Sequence, residues 1–205
     1  LEEVVNETVQ PRPVSPYAVT KLMIEEYFHY YGRQHGLDFV IYRIANPYGE
    51  RQNPYGIQGA IPIFMKHMML GESVTLYGDT VRDYIYVKDV TGFIAENFDK
   101  PGERSTYNVG SGRGVALSEL VPKIARVVGA MPKVVSEERR PFDVGKIVLD
   151  ISRVNEEFGF RPTTSLEVGL EKTYAYVAEH TRSLPLSAVV FPYRAGVARL
   201  FGRKA

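Results

Sequence analysis

Tyr17 and Lys21 are a pair whose types and spacing could carry chemistry. Four residues apart on a helix, they share one face about one turn apart. A phenol is a poor base near neutrality, its free pKa being about 10. An ammonium fixed beside it stabilises the phenolate and lowers that value. Such a pair can take a proton from a substrate hydroxyl while hydride leaves the same carbon. The same spacing also describes an ordinary amphipathic surface, since Tyr27, Tyr30 and Tyr31 follow on the same segment. Arg82, Arg139 and Arg140 form a second group. Guanidinium forks suit paired anionic oxygens better than an ammonium does. Each has a plainer reading. Arg82 beside Asp83 can be a surface ion pair, Arg139-Arg140 can be solvated loop charge, and Asp143 can cap a turn. His29, His35, His67 and His180 are scattered with no acidic partner at ligand spacing, and no metal site is expected.

The elements that must hold these residues follow from pattern. The chain of 205 residues carries 25 Lys+Arg against 24 Asp+Glu and no Cys. This balance gives no reason to expect a nucleic-acid partner. It also excludes a disulfide framework, a thiolate metal site and a Cys nucleophile. No stretch reaches the roughly 18 uninterrupted apolar residues of a membrane span, and no signal peptide is seen, so the cytoplasm is the expected location. The first segment, with Pro11, Pro13 and Pro16, reads as an extended loop to about Ser15. Ser15-Pro16 reads as an N-cap and first-turn Pro, opening a helix to about Gln34 that Gly36 stops. Residues 39–44 are apolar nearly throughout, as in a parallel strand buried on both faces, and Asn46-Pro47-Tyr48-Gly49 reads as the turn at its end. Helices are expected near 61–70, 89–98, 118–128, 152–158 and 165–179, and strands near 74–77, 82–87, 107–110, 134–135 and 147–149. Ser118 is the expected cap of the fourth helix, and Glu119 and Lys123 its expected i,i+4 pair. Strands alternating with helices give an α/β class.

The order of motifs adds a resemblance. Ser15-Pro-Tyr-Ala-Val-Thr-Lys21 precedes Tyr42-Arg-Ile-Ala-Asn-Pro-Tyr-Gly49, then Arg82-Asp-Tyr-Ile-Tyr-Val-Lys-Asp-Val90. Tyr107-Asn-Val-Gly-Ser-Gly112, Arg139-Arg-Pro-Phe-Asp143, Leu149-Asp-Ile-Ser-Arg153 and Phe158-Gly-Phe-Arg-Pro162 follow in turn. Over about residues 7–180 the chain resembles the extended short-chain dehydrogenases/reductases, specifically the nucleotide-sugar epimerases and dehydratases. The resemblance implies NAD as cofactor and a UDP-sugar as substrate. It implies epimerisation at C4 through a keto-sugar, with a 4,6-dehydratase or a glucuronate-acting relative as the alternative. Tyr17 matches the family's catalytic base and Lys21 its partner, which also holds the nicotinamide ribose. Pro47 matches a wall beside the nicotinamide. Asn46 matches the residue that contacts the sugar diphosphate, Arg82 and Arg140 those that grip it, and Asp143 the acid on the uridine ribose. Val74, Leu76 and Tyr77 fall on the nucleobase strand. The resemblance further implies a partial Rossmann-like parallel sheet from residues 1–50 and 82–110, and a small α/β substrate lobe from 51–81 and 111–180. A homodimer through the helix at 16–35 is implied as well.

One part of the family pattern is missing. No Gly cluster opens a helix onto a pyrophosphate, and Gly110-Ser-Gly-Arg-Gly114 lies after the Tyr-Lys helix. The chain begins at Leu1 within sequence that reads as mid-protein, so it is expected to be the C-terminal part of a longer protein. The isolated chain is then expected to expose apolar surface and an open sheet edge, and either to aggregate or to act at best as an inactive sugar-nucleotide-binding remnant. From 181 to 205 the chain turns basic, with Arg194, Arg199, Arg203 and Lys204 and no acid after Glu179. A packed or frayed terminus is preferred for this tail over a membrane-surface segment, because its apolar run is short.

Overall fold

The computed structural model describes residues 4–182, apart from 101, 103, 104 and 142. The basic tail beyond residue 182 lies outside the described residues.

The chain runs β1 (Val4–Val5), α1 (Pro16–His35), β2 (Ile41–Ile44), β3 (Asn46–Tyr48), α2 (Ala60–Met69), β4 (Ser73–Tyr77), β5 (Val81–Tyr86) and α3 (Val87–Asn97). It continues through β6 (Thr106–Val109), β7 (Gly114–Ala116), α4 (Leu117–Val128), β8 (Lys133–Glu137), β9 (Lys146–Leu149), α5 (Ser152–Phe158) and α6 (Leu166–Arg182). The order β1-β9-β5-β3 forms the larger sheet, β2 pairs β6, and β4 pairs β8. All these pairs are parallel, and only β7 lies antiparallel, on β5. This is an α/β fold of Rossmann-like parallel strands with helical crossovers. Among the described residues, no helix is long and apolar enough to cross a membrane.

The expected turn at Asn46–Gly49 is instead a strand. The extended run changes partner at Ala45, whose N–H donates to Val109 O at 2.9 Å as β2 leaves β6, and Asn46–Tyr48 then pairs with Tyr84–Tyr86. Pro47 is tolerated because β3 ends the order of its sheet, where a missing N–H leaves no ladder bond unmade. The expectation that residues 39–44 are buried on both faces is also corrected. Ile41, Tyr42 and Arg43 are half-buried and Ile44 is 40% exposed, because β6 alone pairs with this strand among the described residues. Two elements were not anticipated, β1 and β7, both of three residues or fewer.

Two apolar clusters anchor the fold. One gathers Ile61, Met65 and Met68 of α2, Leu120, Val121 and Ile124 of α4, and Leu170 and Val177 of α6 around Val74. The other gathers Ile85, Val90, Phe93, Tyr107, Val109, Val154 and Phe160, with ring contacts among Phe93, Phe158, Phe160 and Tyr107. Gly169 lets α6 approach β3, since a Cβ there would lie 2.1 Å from Tyr48 Oη.

Helix α4 corrects two local expectations. Ser118 does not cap it; the cap is Asp79, which accepts from Ser118 N at 2.9 Å and from Ser118 Oγ at 2.7 Å. Lys123 does not pair with Glu119 but with Glu167 of α6, at 2.5 Å. In both cases a partner about forty residues away supplants a local one. Asp79→Ala is expected to cost about 1 kcal/mol, the usual worth of an N-cap. Ser118→Ala, which keeps the backbone bond to Asp79, should cost less, and urea unfolding of the two variants compares them.

Candidate active site

The first group of chemistry-bearing residues sits on α1. Ser15 has an extended backbone and accepts from Ala18 N at 3.2 Å, Pro16 fills the first turn, and Gly36 ends the helix at φ 65°. Tyr17 and Lys21 therefore fall one turn apart near the N-terminus. The Lys21 ammonium lies 5.5 Å from the Tyr17 ring centroid, and Tyr17 is 64% exposed. The helix itself is lightly attached, for none of its 20 residues is buried. Val19, Met23, Ile24, Tyr27, Phe28, Tyr30 and Tyr31 all stand exposed on it. An ion pair and two ring contacts hold it. Arg43 of β2 grips Glu25, with Nε–Oε1 at 3.0 Å and Nη2–Oε2 at 2.6 Å. Phe39 packs on Phe28 and His29, in a space that Gly32 leaves open: a Cβ on Gly32 would sit 2.7 Å from the Phe39 ring.

The second group lies where β4, β5 and the segment after β8 meet. Arg140 and Asp143 form a two-point pair, Nε–Oδ2 at 2.7 Å and Nη2–Oδ1 at 3.2 Å. The Arg140 guanidinium also lies 4.5 Å over the Tyr77 ring, within cation–π range. Its hydrogen bond to Asp143 raises its pKa further. Arg82 turns its guanidinium to Val81 O at 2.9 Å and Gly145 O at 3.4 Å. Burial lowers the Arg82 pKa, an effect that Tyr84 and Asp143 partly offset and Arg139 adds to. Arg140 thus pairs with the Asp143 carboxylate beside an aromatic ring, while Arg139 bonds the Asp143 carbonyl at 3.3 Å and Arg82 the neighbouring Gly145 carbonyl. The surface-pair reading of Arg82 and Asp83 does not hold, since Asp83 is 1% exposed and bonds elsewhere.

The remaining candidates divide. Asn46 donates through Nδ2 to Asp83 O at 2.9 Å, so β5 fixes its amide. Pro47 is exposed beside it. Tyr77 is half-buried, whereas Val74 is 1% exposed and Leu76 packs against the same core, so Val74 can meet a ligand only through its backbone. Tyr84 is half-buried on β5, and burial, partly offset by Arg82, pushes its phenol up to about 12.

Sequence reasoning missed the role of Asp83. Its Oδ1 accepts from Ser111 N at 2.8 Å and Ser111 Oγ at 2.6 Å. Its Oδ2 accepts from Gly112 N at 3.1 Å and Leu149 N at 3.3 Å. One buried carboxylate therefore joins β5 to β9 and to the turn after β6. The signal was present: Asp83 shares a face with Ile85, so an acid stands on the buried side of a strand. This arrangement also decides what the Gly-rich turn can hold. Two N–H groups of Gly110–Gly114 already serve Asp83, and a Cβ on Gly110 would lie 2.5 Å from Asp83 Oδ2. The turn is an internal brace and does not fit a dinucleotide pyrophosphate. The exposed Tyr17 and Lys21 fit the nicotinamide end of such a cofactor. Among the described residues, no cluster of three or more His, Cys, Asp or Glu is placed to hold a metal ion.

Known proteins similar to this chain include nucleotide-sugar enzymes. The chain is 32% identical over 173 residues to the UDP-glucose 4-epimerase of Mycolicibacterium smegmatis, covering 83% of this chain and 55% of that protein. It superposes on the UDP-glucose 4-epimerase of Thermotoga maritima, solved with UDP-glucose, at a TM-score of 0.83 and 35% identity, covering 88% of this chain and 59% of that one. The Thermus thermophilus UDP-glucose 4-epimerase, solved with NAD, gives 0.80 and 36%, covering 86% and 58%. The chain spans a little over half the length of these relatives. The family pattern described as NAD dependent epimerase/dehydratase matches residues 2–110. With Tyr17-Lys21 on its first helix and that match over more than half of its length, the chain belongs to the NAD dependent epimerase/dehydratase family.

Proposed function

We propose that this chain supplies the catalytic helix and the nucleotide-sugar-binding side of an enzyme that inverts C4 of a UDP-sugar. The observation that carries this reading is the two-point Arg140–Asp143 pair beside Tyr77, with Arg139 bonded to the Asp143 carbonyl and Arg82 to the Gly145 carbonyl. Guanidiniums complement a diphosphate, a carboxylate accepts from a ribose diol, and an aromatic ring offers a nucleobase a face. Arg82 and Arg140 grip the diphosphate, with Asn46 as a further contact. Asp143 holds the ribose. The edge at Val74, Leu76 and Tyr77 takes the uracil. Tyr17 removes the proton of the 4-hydroxyl, and the Lys21 ammonium stabilises the phenolate that does so. NAD, when bound, supplies the hydride acceptor and donor. Lys21 then holds the nicotinamide ribose and Pro47 walls the ring. The same proton returns through Tyr17 once the keto-sugar has turned its other face. In this reading residues 1–50 and 82–110 serve the cofactor side, and 51–81 and 111–180 the sugar-nucleotide side. The uncovered apolar face of α1 fits a homodimer through that helix, which sedimentation would reveal.

Calorimetric titration with UDP and dTDP tests the substrate class. Binding of UDP at micromolar to low-millimolar concentration supports the reading, and preference for dTDP redirects it to the 4,6-dehydratase branch of the family. Binding without NAD-dependent conversion of UDP-glucose to UDP-galactose would mark this chain alone as an inactive sugar-nucleotide-binding remnant. That second reading is favoured by the Gly-rich turn, whose N–H groups are committed to Asp83.

A further inference from the structure

Arg139 is a residue to which neither the motif reading nor the proposed chemistry gives a separate task. Four observations give it one. Its backbone lies on the turn between β4 and β5: a Cβ on Gly78 would come 2.8 Å from Arg139 Cβ and 3.4 Å from its Cα. Its guanidinium Nη1 donates to Asp143 O at 3.3 Å, spanning the turn that Asp143 N closes onto Arg140 O at 3.0 Å. The same Nη1 rests against Gly145, where an added Cβ would stand 2.8 Å away. Gly145 O in turn accepts from Val81 N at 2.9 Å and from Arg82 Nη1 at 3.4 Å.

Gly145 does not occupy the left-handed region, so its backbone conformation does not demand glycine. What a side chain there would meet is the tip of Arg139. One exposed arginine therefore touches both ends of the segment that bears Arg140 and Asp143, and abuts the peptide that orients Arg82. We propose that Arg139 is a positioning residue that clamps the 139–145 segment against the β4–β5 turn, so that Arg140 and Asp143 are presented together with Arg82. The inference rests on the reading of those three residues as nucleotide contacts and deepens it.

The test uses the 205-residue chain. UDP is titrated calorimetrically, and uridine is followed by ligand-observed NMR. Arg139→Ala is expected to weaken both ligands about tenfold, because misplacing a preorganised contact is costly. Loss of a remote charge alone would weaken UDP and spare uridine. Gly145→Ala is expected to reproduce the loss by displacing the Arg139 tip. In the Arg139→Ala background the same change should add nothing, since its effect passes through that side chain. Arg139→Lys, which can still reach the 143 carbonyl, should recover part of the affinity. Melting temperatures of the variants are expected to stay together, as the side chain is exposed. Unchanged affinity in Arg139→Ala, a UDP-only loss, or full additivity with Gly145→Ala overturns the clamp and leaves the nucleotide reading standing. Failure of the unmutated chain to bind either ligand overturns the nucleotide reading and the clamp with it.

Discussion

Replacing Asp83 with Ala is expected to destabilise the chain by about 3–5 kcal/mol, a large share of the roughly 5–15 kcal/mol that holds a typical domain folded. The carboxylate is 1% exposed and accepts four hydrogen bonds, three of them from backbone N–H groups. Truncation leaves Ser111 N, Gly112 N and Leu149 N without their acceptor, the last of them buried and the other two in partly buried bonds. An unpaired buried donor costs about 1–3 kcal/mol, and the three are not fully additive because the turn can relax. Water entering the vacated space can recover part of the loss, which is why the expectation stops short of the simple sum. Asp83→Asn is the informative companion. It keeps the volume but turns one acceptor into a donor facing N–H groups, so it should sit between wild type and Ala. Urea unfolding followed by circular dichroism measures both. A loss below about 1 kcal/mol for Asp83→Ala would mean that the turn after β6 is held by other contacts.

Tyr17→Phe is expected to lower turnover by about 10²–10⁴-fold, the usual contribution of a positioned general base. The assay is any preparation in which this chain converts a UDP-sugar. The change removes one oxygen from a side chain that is 64% exposed, so the fold should be indifferent to it. The UDP contacts proposed around Arg82 and Arg140 lie elsewhere, and affinity for UDP should stay within about twofold of wild type. The expected signature is therefore a fall in kcat with substrate affinity preserved. Lys21→Met should give a smaller fall in kcat, because the phenolate loses the cation beside it. Unchanged turnover in Tyr17→Phe would remove Tyr17 from the chemistry and leave α1 as an amphipathic surface helix.

Much of the architecture was legible because long elements advertise themselves. α1 was bounded by Ser15-Pro16 and Gly36, and each supplies local geometry: a side-chain acceptor, a preset φ and a left-handed stop. α2, α3, α5 and α6 followed within a few residues from apolar spacing. What escaped was decided across the fold. Asn46-Pro47-Tyr48-Gly49 carries every local mark of a turn, yet Tyr84–Tyr86 offered it a parallel edge, and the pairing prevailed over local preference. Ser118 looked like a cap until Asp79 arrived from the β4–β5 turn. β1 and β7 are too short to show any period. The candidate site was legible as residue types in order, which is all a motif records. That Arg140 pairs with Asp143, that Arg82 leans on Gly145, and that Asp83 is a buried brace are pairwise facts of the folded chain.

The light attachment of α1 carries a consequence for local opening. A segment can detach at a free-energy cost well below that of global unfolding when few buried contacts oppose it. Here that opposition is the Arg43–Glu25 pair and the Phe39 ring contacts, while the apolar clusters around Leu120 and Tyr107 lose nothing when the helix lifts. Amide hydrogens of α1 therefore belong to a separate exchange unit from those of α4 and α6. The proposed proton-transfer pair thus sits on a lightly held unit, and its residence in a reactive pose is set by the Arg43–Glu25 pair and the Phe39 contacts rather than by the stability of the chain as a whole.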